Sequence, residues 1–424
     1  MPMVDLEVVC PVYDSFRVQQ VGGMFDVPIA ERAAQRFRVE VPAWLSEDAT
    51  SAGDAGDWAL GLIVGPSGSG KTTVARRLFG GRLYERQPWP EEAAVVDGLG
   101  SRPIKEITGL FTAVGFSSPP SWIKPYRVLS NGEQFRCDLA RALVGEGRWE
   151  AGDGGREAGR AECKIQITDG VSQKDFFTTD RSCPSLAPLV VFDEFTSVVD
   201  RNVARAVSAA IAKGIRGGRL ACRFVAVTCH YDVQPWLEPD WVIDMATSTF
   251  SRRRLRRPPI RLEIFRCGRG AWPLFARHHY LSGALPRFAR CFVALWEGVP
   301  VTFCATVSLI GHQRHWRISR IVTLPDYQGL GIGMRVAEAI AELHVREGNR
   351  MNVTASHPAL IAHCRRSPQW RTVGVRKCGS LRSREFIGNY RGSAGRAVVS
   401  FEYLGLRGKD AAGAGGLPGG VAIA

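Results

Sequence analysis

The sequence predicts an α/β fold in two parts, and three observations carry that prediction. Strand-like and helix-like segments alternate over residues 1–250, the pattern of a parallel sheet with helices packed on it. A Gly-rich stretch, Gly65-Pro66-Ser67-Gly68-Ser69-Gly70-Lys71-Thr72-Thr73, lies between a short apolar run (Leu60–Val64, a buried strand) and a helical run (Thr72–Phe79). From residue 260 the pattern changes to consecutive strands, then a second Gly-rich loop that opens an amphipathic helix. A chain of 424 residues is long for a single core, so two domains are expected.

The first loop matches G-x-x-x-x-G-K-[ST] at every fixed position. Its glycines let backbone N–H groups close around phosphate oxygens at a helix N-terminus. On that geometry Lys71 reaches the β- and γ-phosphates of ATP and the Thr72 hydroxyl binds Mg²⁺. The plain alternative, a Gly-rich turn with a chance Lys, lacks a reason for the strand before it and the helix after it.

Composition narrows the classes. No apolar run is long enough to span a bilayer, and Met1 to Cys10 carries acids and no basic leader, so a cytoplasmic protein without a membrane partner is expected. Eleven cysteines are scattered without a C-x-x-C pair, which argues for reduced thiols and against a zinc finger or a disulfide scaffold. The net charge of +14 and pI of about 9.6 suit a polyanionic partner, nucleic acid first, and equally a dispersed Arg-rich surface.

Past the first loop, Pro103–Phe116 has a helical pattern and Ser117–Pro125 is a Pro/Ser-rich turn. Leu129-Ser130-Asn131-Gly132-Glu133-Gln134 then opens a helix with Phe135, Leu139, Ala142 and Leu143 on one face. With Leu139-Ala140-Arg141-Ala142-Leu143 behind it, this segment resembles the signature motif of ABC-type ATPases, departing from it at Asn131 and Glu133. Leu189–Phe192 followed by Asp193-Glu194 is similar to that family's Walker B strand, Ser197–Asp200 to its D-loop, and His230, after the strand Phe224–Val227, to its switch histidine.

The resemblance implies an ATP-hydrolysing domain at residues 1–250. Asp193 would hold Mg²⁺, Glu194 would polarise the attacking water, and His230 would contact the γ-phosphate. Ser130 and Gly132 would clamp nucleotide bound by a second protomer, which implies a homodimer through this domain. No glutamine stands out for the family's Q-loop; Asp97 is the nearest candidate. A Gly- and charge-rich insertion covers about residues 145–188, and the short stretch between Lys71 and Ser130 argues against a transporter ATPase.

Residues 251–259 form a basic linker, Ser251-Arg252-Arg253-Arg254-Leu255-Arg256-Arg257-Pro258-Pro259, able to grip phosphates or to serve as a solvated joint. A second domain spans residues 260–408, with strands at Cys291–Trp296, Val301–Val307 and Trp316–Leu324. Gln328-Gly329-Leu330-Gly331-Ile332-Gly333 follows, then a helix with Val336, Ile340 and Leu343 on one face. This Q-x-x-G-x-G loop resembles motif A of the GNAT superfamily of N-acetyltransferases. The likeness implies a GNAT-like α+β domain in which backbone N–H groups from Gln328 to Gly333, with Gly329, Gly331 and Gly333 admitting close approach, hold the pyrophosphate of acetyl-CoA or another acyl-CoA.

Phe275-Ala276-Arg277-His278-His279-Tyr280-Leu281-Ser282 resembles a segment of phage Mom-type enzymes, GNAT-like proteins that modify adenine in DNA. Neutral His278 or His279 would deprotonate an amine and Tyr280 would orient it or donate a proton. His357 is a rival base, and Cys364 a conceivable acyl carrier, against structural roles for each. By composition the tail, residues 409–424, is expected to be disordered.

Together these point to an ABC-type ATPase coupled to an N-acyltransferase that acts on nucleic acid, DNA or RNA. The alternatives are a protein or small-amine acetyltransferase regulated by the ATPase, and a DNA-clamping ABC ATPase with an inactive GNAT-like domain.

Overall fold

The computed structural model of the chain describes residues 3–9, 13–27, 34–45, 58–144, 188–252, 257–280, 284–378, 396–405 and 421–423. The insertion at 145–187, residues 253–256 of the basic linker and residues 281–283 lie outside this set.

In the first half, β1 (Met3–Val9) and β2 (Ala34–Glu40) pair antiparallel around α1 (Phe16–Phe25). There follow β3 (Leu60–Val64), α2 (Lys71–Phe79), α3 (Ile104–Ala113), α4 (Asn131–Leu143), β4 (Leu189–Phe192), α5 (Arg201–Arg216), β5 (Arg223–Thr228), β6 (Trp241–Asp244) and β7 (Thr249–Ser251). The last five strands form one sheet in the order β4-β5-β3-β6-β7, parallel except for β7. Every residue of β3 is buried, because helices cover both faces, and so its sequence is a continuous apolar run rather than an alternation. The Gly65–Thr73 loop, Asp193-Glu194 and His230 all emerge at the carboxyl ends of parallel strands, where α/β sheets place ligands.

The second half comprises β8 (Ile260–Cys267), β9 (Arg290–Trp296), β10 (Val299–Ser308), β11 (His315–Thr323), α6 (Ile332–Arg346), β12 (Arg350–Ala355), α7 (Pro358–Arg366), β13 (Trp370–Cys378), β14 (Arg396–Tyr403) and β15 (Val421–Ile423). They form an eight-stranded sheet in the order β13-β14-β12-β11-β10-β9-β8-β15. Glu297 and Gly298, both at positive φ, make the two-residue turn between β9 and β10, the conformation whose twist suits a tight hairpin. Residues 421–423, part of the segment expected to be disordered, pair antiparallel with the β8 edge instead; residues 409–420 and 424 lie outside the described set.

One pairing shapes everything that follows. β11 and β12 are parallel, with α6 as their crossover, and they pair only between His315–Ile318 and Arg350–Val353. Beyond Ile318 and Val353 the strands separate, and a wedge opens between them. The rest of the sheet is antiparallel.

The halves share a core through α5. Val203, Val207, Ile211 and Ile215 pack against the first sheet, while Ala206 and Ala209 join Trp236 in a cluster with Trp296, Tyr327 and Leu330 of the second half. A helix apolar on opposite sides is one buried between two layers. The small residues let backbones meet: a Cβ on Gly329 would stand 2.8 Å from the Ala210 Cβ and 2.9 Å from the Gly115 Cα. Among the described residues, no helix is long and apolar enough to cross a membrane.

Candidate functional site

The first site forms where β3 meets α2. Gly68 and Gly70 both have positive φ, and Gly70 caps the helix. A Cβ on Gly70 would stand 2.5 Å from the Phe37 ring, so β2 closes over the loop. The amides of Lys71, Thr72 and Thr73 open α2 and have no intrahelical acceptor. Lys71, 9% exposed, donates from Nζ to the Pro66 carbonyl at 2.7 Å, and the Ser69 hydroxyl is buried with no partner among the described residues. An orphaned hydroxyl, free amides and an ammonium parked on a loop carbonyl fit a polyphosphate. No cluster of three or more His, Cys, Asp or Glu that could hold a metal occurs among the described residues, so Mg²⁺ here would rest on Thr72, Asp193 and the nucleotide's own oxygens.

The sequence-predicted carboxylates are set by Phe195. This residue is fully buried among the rings of Phe135, Phe192 and Phe224, and its amide donates to the Val227 carbonyl at 2.8 Å. Glu194 and Thr196 on either side adopt positive φ (51° and 66°), a strained state costing about 1–3 kcal/mol each that the anchored Phe195 maintains. Glu194 is exposed at the sheet's end, and Asp193 accepts its amide at 2.8 Å. His230 lies within range of the Glu194 charge; burial and then Arg201 hold its pKa below the usual imidazole value, so it is neutral near pH 7.

Ser130 caps α4 in a reciprocal box with Glu133. The Glu133 carboxylate accepts from the Ser130 amide and hydroxyl, both at 3.0 Å, and from the Ser121 hydroxyl at 2.6 Å. Burial alone would raise its pKa, but these hydrogen bonds and the Lys124 charge outweigh it and keep Glu133 ionised. The departure at Glu133 is thus a capping residue. No hydrogen bond or ion pair among the described residues joins Ser130 or Gly132 to Lys71, Asp193 or Glu194.

Asp97 sits exposed in a helical turn whose next residue, Gly98, packs under Trp89. Gln87 lies three residues past a short bridge to the first sheet. Leu83 bridges Val191 of β4 in parallel and the Tyr84 amide donates to the Val191 carbonyl at 2.8 Å, so the chain leaves the sheet edge beside the strand that carries Asp193. The signal missed in the sequence was a two-residue strand, too short to show periodicity.

The second site is the wedge between β11 and β12. Its walls are Ile318–Thr323, Val353–Ala355, the loop Gln328–Gly333, His278, His279 and Tyr280, together with Ser117 and Pro119 from the first half. Gly331 (φ 87°) caps α6, and the amides of Ile332, Gly333 and Met334 have no intrahelical acceptor. A Cβ on Gly333 would stand 2.8 Å from the Thr323 hydroxyl, so the loop is closed down on β11.

Gln328 does not present a free amide as expected. Its N–H donates to the Pro325 carbonyl at 3.2 Å. Its side chain spans the two halves, donating to the Thr323 carbonyl at 3.0 Å and accepting from the Ser117 amide at 2.8 Å. The phosphate-sized cradle therefore begins after it.

The four candidates for proton transfer separate. His278 accepts from the Arg277 guanidinium at Nε2 (3.0 Å); burial and then that charge lower its pKa, and this nitrogen is already engaged. His357 caps α7, accepting the Ala359 amide at Nδ1 (3.3 Å), and contacts the Ser117 carbonyl through Nε2 at 3.2 Å. These partners fix the neutral Nε2–H tautomer and leave no nitrogen for a substrate, which removes His357 as the rival base. Burial likewise lowers its pKa. His279, 8% exposed, stays on the cleft wall with its ring 5.8 Å from Trp272 and 5.3 Å from Tyr280. Cys364 is buried outside the cleft, and burial, then Glu338, pushes its thiol up to about 12, so it is no acyl carrier.

Residues 259–363 match the Acetyltransferase (GNAT) family. No curated protein matches the chain. Among solved structures, an IAA acetyltransferase from Bacillus cereus is similar at 15% identity over 34% of this chain and 98% of its own, with a TM-score of 0.27. A GNAT family acetyltransferase from Elizabethkingia anophelis with acetyl-CoA bound is similar at 11% identity over 34% of this chain and 97% of its own (TM-score 0.26). A dimeric ATP-binding cassette in a post-hydrolysis state bound to ADP and Pi is similar at 13% identity over 52% of this chain and 90% of its own (TM-score 0.31). The second half of the chain, over residues 259–363, carries a GNAT acetyltransferase domain.

Proposed function

We propose that this protein is an acyl-CoA-dependent N-acyltransferase, with acetyl-CoA as the first donor to test, coupled to an ABC-type ATPase in the same chain. The observation that carries this reading is the wedge past Ile318 and Val353, which has the α6 N-terminus at one end and His279 and Tyr280 on its wall. The first-turn amides of α6 face the donor's diphosphate. Separation of the strands exposes the backbone of Ser319–Thr323 to the donor's amide-bearing arm. The acceptor amine gives its proton to His279 and attacks the thioester carbonyl; the N–C bond forms, the C–S bond breaks, and the departing thiolate takes the Tyr280 proton.

In the first half, Lys71 leaves the Pro66 carbonyl for the β- and γ-phosphates of ATP, Thr72 and Asp193 hold Mg²⁺, Glu194 orients the attacking water and His230 meets the γ-phosphate. Gln87, rather than Asp97, takes the Q-loop position. Ser130 and Gly132, which have no hydrogen bond to Lys71, Asp193 or Glu194 of their own chain among the described residues, serve the site of a second copy in a homodimer.

For the acceptor we propose an exocyclic amine of nucleic acid, supported by the charge of +14; extrusion of a base costs a few kcal/mol, within the reach of ATP turnover. Mass spectrometry of nucleosides from cells expressing the wild type or a Gly331→Val/Gly333→Val variant tests this. A modified base in the wild type alone supports it, and unchanged DNA and RNA pools reject it in favour of a protein or small-amine acceptor.

A further inference from the structure

We infer that the acyl-CoA site is completed from the ATPase half: the ammonium of Lys213, near the C-terminal end of α5, is a ligand for the phosphates of the donor's diphosphate carrier, with Arg219 beside it. This rests on the assignment of the Gly-rich loop to acyl-CoA given above.

The placement is specific. A Cβ on Gly331 would stand 3.0 Å from the Lys213 Nζ, so the ammonium lies directly against the loop whose following amides, Ile332 to Met334, await an acceptor. Neither Lys213 nor Arg219 has a side-chain hydrogen bond or ion pair among the described residues. An ammonium against a phosphate-type loop, with the Arg219 charge close enough to act on it, suits an anionic ligand.

The surroundings sharpen that conclusion. Much of the Lys213 side chain is exposed, but its ammonium end is in the crowded seam between the halves. Desolvation first, and then the charges of Arg219, Arg257, Arg335 and Arg366, push its pKa down to about 8. Glu338, the acid beside Arg335, is engaged by His363 at 2.7 Å and by Arg335 at 3.5 Å. Like charges gathered this way repel, and a diphosphate relieves the repulsion while gaining charge-assisted hydrogen bonds. Lys213 also rides on the helix that Asp200 of the Ser197–Asp200 turn caps.

The test measures binding of CoA, and of pantetheine as the same thiol arm without phosphates, to the full-length protein by titration calorimetry. Lys213→Ala should weaken CoA about tenfold, while Lys213→Arg stays close to the wild type. Arg219→Ala should weaken CoA in the same direction, and pantetheine should bind all forms alike. CoA affinity unchanged or improved in Lys213→Ala, with the wild type binding CoA, overturns this inference alone. A wild type that does not bind CoA overturns both it and the acyltransferase assignment.

Discussion

Arg136 and Pro325 are joined across the two halves of the chain by a hydrogen bond of 3.0 Å from guanidinium Nη2 to carbonyl oxygen. The same guanidinium donates from Nη1 to the Gly132 carbonyl at 3.3 Å, so one buried side chain (1% exposed) ties the signature segment to the turn that leads into Gln328. A long contact between the Asn202 amide and the Tyr327 hydroxyl, 3.4 Å, lies beside it. Arg136 is therefore placed to transmit a shift of α4 to the Gln328–Gly333 loop, proposed above to hold acyl-CoA.

Arg136→Met tests that link. The variant should lose about 3 kcal/mol of stability, since Pro325 and Gly132 lose a donor and Asp326 a neighbouring charge. Acyl transfer in the variant should no longer respond to ATP. Thermal melts and transfer rates with and without ATP decide it; a retained ATP response would show that coupling runs elsewhere.

Glu194→Gln keeps the shape of the β4 terminus and removes the group assigned to orient water. Hydrolysis should fall about 10²–10⁴-fold while ATP-dependent dimerisation persists. Phosphate release and sedimentation read the two separately, and full turnover would remove Glu194 from the mechanism.

The histidines of the cleft should divide by role. His279→Ala should lower kcat for acyl transfer about 10²–10⁴-fold. His278→Ala should change it little, because Arg277 already occupies Nε2. His357→Ala should act on stability, through loss of the α7 cap and the Ser117 contact, by about 1–2 kcal/mol. Equal kinetic losses in all three would contradict the separation.

His344 gives the fold an acid-sensitive point. It is fully buried, lies 3.0 Å from the Thr306 hydroxyl through Nε2, and burial lowers its pKa to about 4. The unfolded state, with an imidazole near its ordinary 6.5, binds the proton first, so this contribution is complete above pH 6.5 and is lost as pH falls towards 4. Denaturant titrations should show up to about 3 kcal/mol lost over that window. His344→Gln should flatten the dependence, and an unaltered slope would assign it to other groups.

The sequence made the two Gly-rich loops and their flanking elements legible where backbone requirements fix residue types. Gly65–Thr73 and Gln328–Gly333 could be placed from glycine spacing and flanking elements, since only particular residues allow a left-handed cap at a phosphate-sized loop. The strands at 60–64, 189–192, 223–228 and 290–323 were visible as apolar runs. The relation between the halves was not visible. Ser117, Pro119, Arg136 and Lys213 have no local pattern that marks them, because their positions arise from α4, α5 and the 115–122 segment docking on the second half. Gln328 shows the limit at a single residue: the motif located it, but the nearby Ser117 turned its side chain into a bridge.

The most direct measurement follows labelled acetyl groups from acetyl-CoA, with purified wild type and His279→Ala, in the presence of ATP and DNA or RNA. The wild type should transfer the label to an amine of the nucleic acid, and the variant should transfer little. Intact acetyl-CoA after incubation with the wild type and each nucleic acid, or transfer undiminished in His279→Ala, would contradict this reading.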